Sequence, residues 1–272
     1  MFSRITKNHL TRLIPALLAL GLSLGMGACQ SADSNTPATE PSALRLYVFD
    51  CGQITAQDIS MFGIRNDQTD VRTLFVPCYL IEHPQGRMIF DLGLPEAVAG
   101  AGTVPYGEDG EMRYDRSLVT QLADLSLTPE DIDWVSYSHS HFDHVGSANR
   151  FANATLLLQE AEYDAAFNRA DEFEGLFEPS LYEALRPSNK QLLNGSHDVF
   201  GDGRVRLIEA PGHTPGHQVL WLDLANTGPL VLSGDLYHFE VSRTLRAVPL
   251  FNVDREQTLR SMTKIEALLK ET

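Results

Sequence analysis

The chain has 272 residues, and 43% of them are hydrophobic, which is enough for one large domain with a substantial core. Its formal net charge at pH 7 is −15, and so acidic a surface repels the phosphate backbone of nucleic acids. The composition therefore argues against a nucleic-acid partner, and it favours a neutral or weakly charged small molecule.

The first residues of the chain predict an export signal. Three basic residues, Arg4, Lys7 and Arg12, precede the apolar run LIPALLALGLSLGMGA, and Cys29 follows it. The run is too short and too rich in small residues for a transmembrane span, so residues 1–28 are predicted to be a signal peptide. Its GAC ending resembles a bacterial lipoprotein signal, in which Cys29 receives the lipid. An ordinary cleaved signal is the alternative.

The expected product is an exported lipoprotein that is anchored to a membrane through Cys29 and faces the periplasm or the cell surface. Residues 29–43 include the polar stretch SADSNTPATEPS and are predicted to be a flexible tether. Residues 44–272 are expected to form the folded domain. The sequence does not predict its oligomeric state.

Apolar and β-branched runs predict three early strands, LRLYVF (44–49), LFVPCYLIEH (74–83) and GRMIFDLG (86–93). The segment AGAGTVPYGEDGEM (99–112) is predicted to be a glycine-rich loop, and a helix is expected over residues 116–127. The loop could be a lid over a site or a surface insertion.

Cys51 and Cys78 lie in strand-like runs of this early region. An exported protein meets an oxidising compartment, so a disulfide between them is one possibility. Because both runs read as buried strands, two buried free thiols are the favoured expectation.

The segment SHSHFDH follows DIDWVSY, which alternates and is predicted to be a strand. Residues two apart on an extended backbone point to the same side, so His139 and His141 are expected to converge. Asp143 and His144 are adjacent, and a turn at Gly146 would let them meet. Neutral imidazole and carboxylate suit zinc or a similar borderline metal, and two such clusters indicate two ions.

Two later segments supply further candidate ligands at the ends of predicted strands. APGHTPGHQVL places His213 in a turn rich in proline and glycine, between the strand-like runs VRLIEA and HQVLWLDL. VLSGDLYH places Asp235 immediately after a short apolar strand. Binding residues concentrate on loops that a rigid sheet holds, and a carboxylate can bridge two cations. Both side chains are therefore expected to join the metal site.

The remaining elements complete the predicted architecture. ATLLLQ is predicted to be a strand, EAEYDAAFNRA a helix, and residues 171–187 an acidic segment that could be a lid or a surface insertion. DREQTLRSMTKIEALLK is predicted to be an amphipathic helix that closes the chain. Strand groups separated by helices, in two similar halves, fit two sheets packed between helical layers.

The motifs HSHFDH, PGHTPGH and SGD, in this order, resemble those of the metallo-β-lactamase-fold hydrolases, and the resemblance covers about residues 44–272. FDLGLP is similar to the family's Asp-x-Gly turn, which implies a place for Asp91 just outside the metal ligands. DCG, DISMF, VPCYLIEHP and DREQTL are most similar to the N-acyl homoserine lactonase-like branch. The implied fold is α/β, the αβ/βα four-layer sandwich of this family.

The resemblance also implies the ligand set and zinc in two sites, with other divalent metals as alternatives. The first metal would be held by His139, His141 and His213, the second by Asp143 and His144, and Asp235 would bridge the two. The family has a final histidine on a strand near the C-terminus, and no histidine follows His238 here. The last C-terminal strand is therefore expected to be lacking, and the second metal to be held weakly.

The implied activity is the opening of a lactone or related ester by a hydroxide that the metals activate. Asp143 is expected to coordinate metal and also to pass a proton to the leaving alkoxide. Lactonases of this branch have a tyrosine three residues after the bridging aspartate, where this chain has His238. An imidazole can donate a hydrogen bond to an oxyanion, so His238 is a candidate catalytic residue; the alternative is a histidine in a surface loop.

Two other functions remain open on this sequence, a thioesterase of the glyoxalase II type and a non-catalytic, membrane-anchored binding protein. Asp235 stands where some metallo-β-lactamases have cysteine, which argues against antibiotic hydrolysis. Outside the ligand set, His217 is expected to be packed in the core or just behind the ligands. His83 and His197 lie near turns and are expected to be solvated.

Overall fold

The computed structural model describes residues 43–173 and 175–270. The predicted signal peptide, Cys29 and nearly all of the predicted tether lie outside the described residues. None of the helices in the described ranges is long and apolar enough to cross a bilayer.

The larger of two sheets has eight strands among the described residues, and these are β1 (Arg45–Thr55), β2 (Thr73–His83), β3 (Gly86–Leu92), β4 (Thr103–Tyr106), β5 (Gly110–Arg113), β6 (Trp134–Ser136), β7 (Thr155–Gln159) and β8 (Lys190–Leu193). Their order across the sheet is β4-β5-β1-β2-β3-β6-β7-β8. Pairing is antiparallel from β4 to β3 and parallel from β3 to β8.

The smaller sheet is antiparallel and consists, in the described residues, of β9 (His197–Asp198), β10 (Val205–Glu209), β11 (Gln218–Leu224) and β12 (Gly228–Leu232). Its order is β12-β11-β10-β9, so β12 is an outer strand. The α-helices are α1 (Leu118–Asp124), α2 (Phe142–Val145), α3 (Glu160–Tyr163), α4 (Glu240–Leu245) and α5 (Arg255–Lys270).

Apolar side chains fill three layers between these elements. Ile81 of the large sheet and Leu207 of the small sheet belong to one core between the two sheets. Leu80, the neighbour of Ile81 on its strand, points the other way into the core that the large sheet shares with α1. Ile208, the neighbour of Leu207, likewise contributes to a core with Met262 of α5. This alternation produces the four-layer αβ/βα sandwich and confirms the predicted fold class.

The region predicted to be a glycine-rich loop, residues 99–112, contains a hairpin instead. Strands β4 and β5 pair with each other, and β5 adds to the edge of β1, where Glu111 faces Thr55. Glycine and proline interrupt the alternation of apolar and polar residues that would indicate a strand. Part of the backbone hydrogen bonding of β5 is with β1, which is distant in the sequence. The loop prediction was therefore wrong for half of the segment.

The C-terminal helix α5 forms as predicted, and it packs its buried residues Met262 and Ile265 against the small sheet. Asp254 caps it, because its Oδ1 accepts a hydrogen bond from the Gln257 backbone N–H at 2.8 Å. Helix α5 ends at Lys270, the last described residue.

Cys51 and Cys78 form a disulfide, so the expectation of two free thiols was wrong. Their strands are adjacent and antiparallel, and a β-bulge between Asp50 and Gln53 shifts the register. The bulge brings the two Cα atoms to 5.7 Å, which is within disulfide range. The sequence shows both strands, but it does not show the bulge.

His83 is also not solvated, contrary to the prediction. Its side chain is only 1% exposed, because the ring stacks on Phe200 with the centroids 3.9 Å apart. Its Nε2 lies 2.9 Å from Asp202 Oδ2. This packing joins segments more than a hundred residues apart, which the local turn sequence cannot reveal. His197 is half-buried in β9.

Candidate metal centre

The candidate ligands lie on loops and a short helix at one end of the two sheets. Strand β6 ends at Ser136, and the extended segment after it carries His139 and His141. Helix α2 begins directly after His141, so Asp143 and His144 are helical, one turn earlier than the bend predicted at Gly146. The sequence therefore places four polar side chains around a single chain reversal.

Three histidines form what we call the first cluster, together with one oxygen of Asp235. His213 Nε2 lies 3.0 Å from His139 Nε2 and 3.1 Å from His141 Nδ1. Asp235 Oδ2 lies 3.4 Å from His213 Nε2 and 3.7 Å from His139 Nε2. The imidazoles are buried, and their nitrogen atoms face one common point.

Outer partners of His213 and His139 indicate which ring nitrogen of these two histidines carries the proton. Asn252 Oδ1 accepts from His213 Nδ1 at 2.8 Å, and the Asn252 amide N–H in turn donates to Thr258 Oγ1 at 3.0 Å. Ser138 Oγ lies 3.0 Å from His139 Nδ1. Both histidines therefore turn an Nε2 lone pair towards the cluster, as metal-ligating histidines do.

Two imidazoles of the first cluster, those of His139 and His141, are held in their neutral form. Burial, together with the neighbouring histidines, lowers the pKa of His139 well below its ordinary value. Burial and His213 do the same to the pKa of His141. Neutral imidazole is the state that binds a metal ion, so the protein does not have to lose a proton at these residues to bind one.

The second cluster consists of Asp143, His144 and the other oxygen of Asp235. His144 Nε2 lies 3.2 Å from Asp235 Oδ1 and 3.7 Å from Asp143 Oδ2. On its far side, His144 Nδ1 lies 3.1 Å from Asp91 Oδ2. Asp235 thus faces both clusters, one with each carboxylate oxygen.

Asp91 lies just outside the ligands and adopts a backbone conformation that is uncommon for a residue with a side chain. Its φ is +53°, in the left-handed region, directly at the end of β3. From there its Oδ1 accepts from the Ser138 N–H at 2.6 Å, while Oδ2 faces His144. Asp91 therefore links the turn after β3 to the segment that carries both clusters.

The charges of the second cluster fit a bound cation. Three carboxylates, those of Asp91, Asp143 and Asp235, surround His144, and their ion pairs in the described chain are all with histidines. Burial disfavours the imidazolium, but these carboxylates raise the pKa of His144 well above its ordinary value. A divalent cation would satisfy the same carboxylates while His144 binds through neutral Nε2.

The pKa of Asp235 shows how strongly its surroundings favour the carboxylate. Burial acts to raise this pKa, but His238 and His144 outweigh burial and hold the pKa of Asp235 well below its ordinary value. For Asp143 the balance is reversed, since burial raises its pKa despite the nearby His144. The two carboxyl groups of the second cluster therefore differ in their readiness to hold a proton.

His238 lies beside the first cluster and not within the second. Its Nε2 is 3.0 Å from Asp235 Oδ2, the oxygen that faces His213 and His139. The ring packs between Phe62 and Phe251, with centroid distances of 5.0 and 5.7 Å, and the side chain is only 7% exposed. The alternative of a histidine in a surface loop does not fit this packing.

His217 belongs to neither cluster and packs in the core behind them, in the position that the sequence suggested. Its Nδ1 lies 3.1 Å from the Ala210 carbonyl oxygen, and burial together with His213 lowers its pKa to about 3. Next to the second cluster, Tyr106 of the unpredicted hairpin packs against Phe142, the residue before Asp143, with the ring centroids 5.4 Å apart.

Asn252 is the residue of this centre that the sequence did not suggest. It lies 39 positions from His213, in the segment PLFNVD before α5, which carries no recognisable motif. Its neighbours pair with the His213 loop, since the Val253 N–H donates to the His213 carbonyl at 3.1 Å and the Asp254 N–H to the Gly212 carbonyl at 2.8 Å. The role of Asn252 as the partner of His213 therefore follows from this backbone pairing and not from a sequence motif.

Comparisons with known proteins agree with this geometry. A family model described as the metallo-beta-lactamase superfamily matches residues 71–272. A curated relative, the N-acyl homoserine lactonase AttM of Azorhizobium caulinodans, is 32% identical over 242 residues, which cover 84% of this chain and 90% of the relative. An N-acyl homoserine lactonase of a Bacillus species is 32% identical over 202 residues, which cover 71% of this chain and 76% of the relative.

Solved structures show the same similarity. An N-acyl homoserine lactone hydrolase with the product N-hexanoyl-L-homoserine bound at its catalytic metal centre superposes with a TM-score of 0.70 at 26% identity, covering 83% of this chain and 88% of that one. AidC, a dizinc quorum-quenching lactonase, shares the fold with a TM-score of 0.62 at 18% identity, covering 83% of each chain.

Proposed function

The chain belongs to the metallo-beta-lactamase superfamily, and we propose that it is a metal-dependent hydrolase that opens lactone rings. The observation that carries the proposal is the pair of clusters that share Asp235 at the strand ends. The curated relatives that are lactonases match most of the chain and support the substrate class. N-acyl homoserine lactones are the first substrates to test.

We propose zinc as the metal, with one ion in each cluster. The first cluster offers three imidazole nitrogens and a carboxylate oxygen, which is a donor set that zinc favours. When bound, zinc would polarise a lactone carbonyl and make water a better nucleophile at neutral pH. The second cluster offers Asp143, His144 and Asp235, so its ion is proposed to be held more weakly.

Other residues of the chain are proposed to transfer a proton, to orient the ligand histidines and to exclude water. Asp143 is 18% exposed and is proposed to reach a leaving alkoxide and return a proton to it. Asp91 and Asn252 keep the ligand histidines in their binding tautomers. The Phe62 and Phe251 rings exclude water from one side of His238.

His238 is proposed to donate a hydrogen bond from Nε2 to the oxyanion that develops on the lactone carbonyl. Its packing between aromatic rings holds the imidazole beside the first cluster, where a substrate carbonyl would lie. Loss of a preorganised donor of this kind typically costs about 10²–10³-fold in kcat. His238→Ala is therefore expected to lower kcat on a lactone by that factor.

Metal analysis separates this role from that of a ligand. His238→Ala is expected to keep the metal content of the parent, and the matched variant His197→Ala, which changes a half-buried histidine of β9, should keep kcat as well. Loss of metal in His238→Ala would assign His238 to the ligands, and an unchanged kcat would remove it from the mechanism.

The substrate class is tested by a panel assay on the purified protein. An N-acyl homoserine lactone or an aliphatic lactone is expected to give the highest kcat/KM, ahead of a β-lactam, a phosphodiester and a glutathione thioester. If a glutathione thioester gave the highest kcat/KM, the result would instead support the glyoxalase II-type alternative. Metal binding without turnover of any of them would support the anchored binding protein.

We also propose that the protein is exported and anchored through a lipid on Cys29. The basic start and the short apolar run support export, and the Cys51–Cys78 disulfide supports an oxidising compartment. Mass spectrometry of the mature N-terminus should find acylated Cys29. A chain that retains Met1 and is recovered from the cytosol would contradict the proposal.

A further inference from the structure

Glu162 is a fully buried carboxylate that no part of the proposed chemistry uses. It lies on α3 and is 0% exposed. A buried carboxylate is costly unless hydrogen bonds compensate it. Glu162 therefore needs a structural reason for its position, and its partners provide one.

The partners of Glu162 are three hydrogen-bond donors from two separate loops. Oε1 accepts from the Ser140 N–H at 2.8 Å. Oε2 accepts from Thr214 Oγ1 at 2.7 Å and from the Gly216 N–H at 3.0 Å. The two backbone N–H groups can only donate, so the arrangement requires an acceptor with two oxygens, and a carboxylate supplies both.

These donors are the immediate neighbours of the first-cluster ligands. Ser140 lies between His139 and His141, and Thr214 follows His213. Their loops are more than seventy residues apart in the chain, and Glu162 contacts both of them. A single side chain thus fixes the distance between the two loops whose histidines must meet.

The backbone around Glu162 is packed too closely for this position to be adjustable. A Cβ added at Gly216 would lie 2.2 Å from the Glu162 backbone nitrogen, so the loop after His213 rests directly on α3. The connection is therefore closely packed where it meets the His213 loop. A shift of the carboxylate would move the loops relative to each other.

We propose that Glu162 is a positioning residue for the metal centre, which sets the separation of the His139–His141 segment and the His213 loop. It does not touch the ligand atoms and acts through the backbone that carries them. The inference rests on the metal site of the proposed function. Its consequence is a specific loss of metal affinity when the carboxylate is changed, beyond any general loss of stability.

The test is the zinc affinity of Glu162→Gln, measured by competition with a chromophoric chelator. Glutamine keeps the size of the side chain but replaces one acceptor oxygen by a donor NH₂, which cannot pair with the facing donors. Loss of an outer partner of a metal ligand typically costs about 10–100-fold in affinity, and a decrease of that size is expected here. The visible spectrum of the cobalt-substituted protein should also change.

Glu82→Gln is the matched control, because Glu82 is another buried carboxylate, bonded to Arg87 and Tyr47 away from the site. It is expected to change the thermal midpoint while leaving zinc affinity and the cobalt spectrum as in the parent. Equal losses of affinity in both variants would reduce Glu162 to a purely structural residue and overturn the inference.

A second variant covers the case in which Glu162→Gln does not fold. Thr214→Val removes one donor and keeps the carboxylate with its two backbone bonds, and it is expected to weaken zinc binding by at least about threefold. Parent-like affinity in the variants that fold would refute the inference. A parent protein that binds no zinc would instead refute the proposed function, so the two failures are distinguishable.

Discussion

Replacement of Asp235 by asparagine is expected to reduce kcat/KM on a lactone by on the order of 10³-fold, because loss of an outer partner alone typically costs about 10–100-fold in metal affinity or activity. Asp235 is the one residue of the described chain that belongs to both clusters. Asparagine keeps its shape but removes the negative charge and one acceptor oxygen. One ion would then lose its ligand atom, and the other would keep only a neutral carbonyl oxygen.

Metal content and turnover should be measured together on this variant. Asp202→Asn is the matched control, since Asp202 also pairs with a histidine, at 2.9 Å from His83, but lies away from the centre. The control is expected to keep both metal content and kcat/KM. An Asp235→Asn protein with its full metal content and activity within tenfold of the parent would show that Asp235 does not bridge the clusters.

Replacement of Gly146 by alanine is expected to lower the free energy of unfolding by about 3 kcal/mol, at the upper end of what overpacking usually costs. Gly146 follows α2, and its φ of −58° and ψ of −29° suit any residue. The added Cβ, however, would lie 2.1 Å from the backbone carbonyl of Leu94. Backbone cannot rotate away as a side chain can, so α2 and its two ligands would have to move.

Urea denaturation of both Gly146→Ala and Gly107→Ala distinguishes the cost of a steric clash from the cost of a left-handed backbone conformation. Gly107 has a φ of +64° and nothing within 4 Å of an added Cβ, so its replacement should cost only the roughly 1–2 kcal/mol of a left-handed residue. If Gly146→Ala were no less stable than Gly107→Ala, the close contact between α2 and the turn after β3 would be incorrect.

The residues of the first and second clusters could be brought together from the sequence because their signals are local. His139 and His141 follow one strand with a spacing of two, and Asp143 and His144 lie within the same chain reversal. Their identity depends on residue type and spacing, which the sequence displays directly. The order of strand groups and helices indicated two sheets between helical layers, and the resemblance to the metallo-β-lactamase-fold hydrolases implied the four-layer sandwich.

What the sequence did not provide depends on pairing between distant segments. Asn252 reaches His213 through a loop with no motif, and Glu162 contacts the loops of both histidine segments from a helix that carries no motif. The Cys51–Cys78 disulfide depends on a bulge in β1. Register, bulges and loop docking are set by the whole fold, so single segments do not disclose them.

The hairpin of β4 and β5 is another feature that depends on pairing between distant segments. Residues 99–112 carry glycine and proline, which favour a loop when the segment is considered alone. The edge of β1 supplies the hydrogen bonds that make β5 a strand, and Tyr106 thereby comes to lie against Phe142. The contact between Tyr106 and Phe142 is therefore a tertiary feature that the local sequence does not show.

The most direct test of a metal-dependent lactone hydrolase is removal and restoration of the metal. The purified protein would be treated with a chelator, freed of it, and assayed for acid release from an N-acyl homoserine lactone before and after addition of zinc. We expect turnover to disappear with the metal and to return as zinc fills the first and then the second cluster. Undiminished turnover by protein shown by elemental analysis to be metal-free would contradict the account.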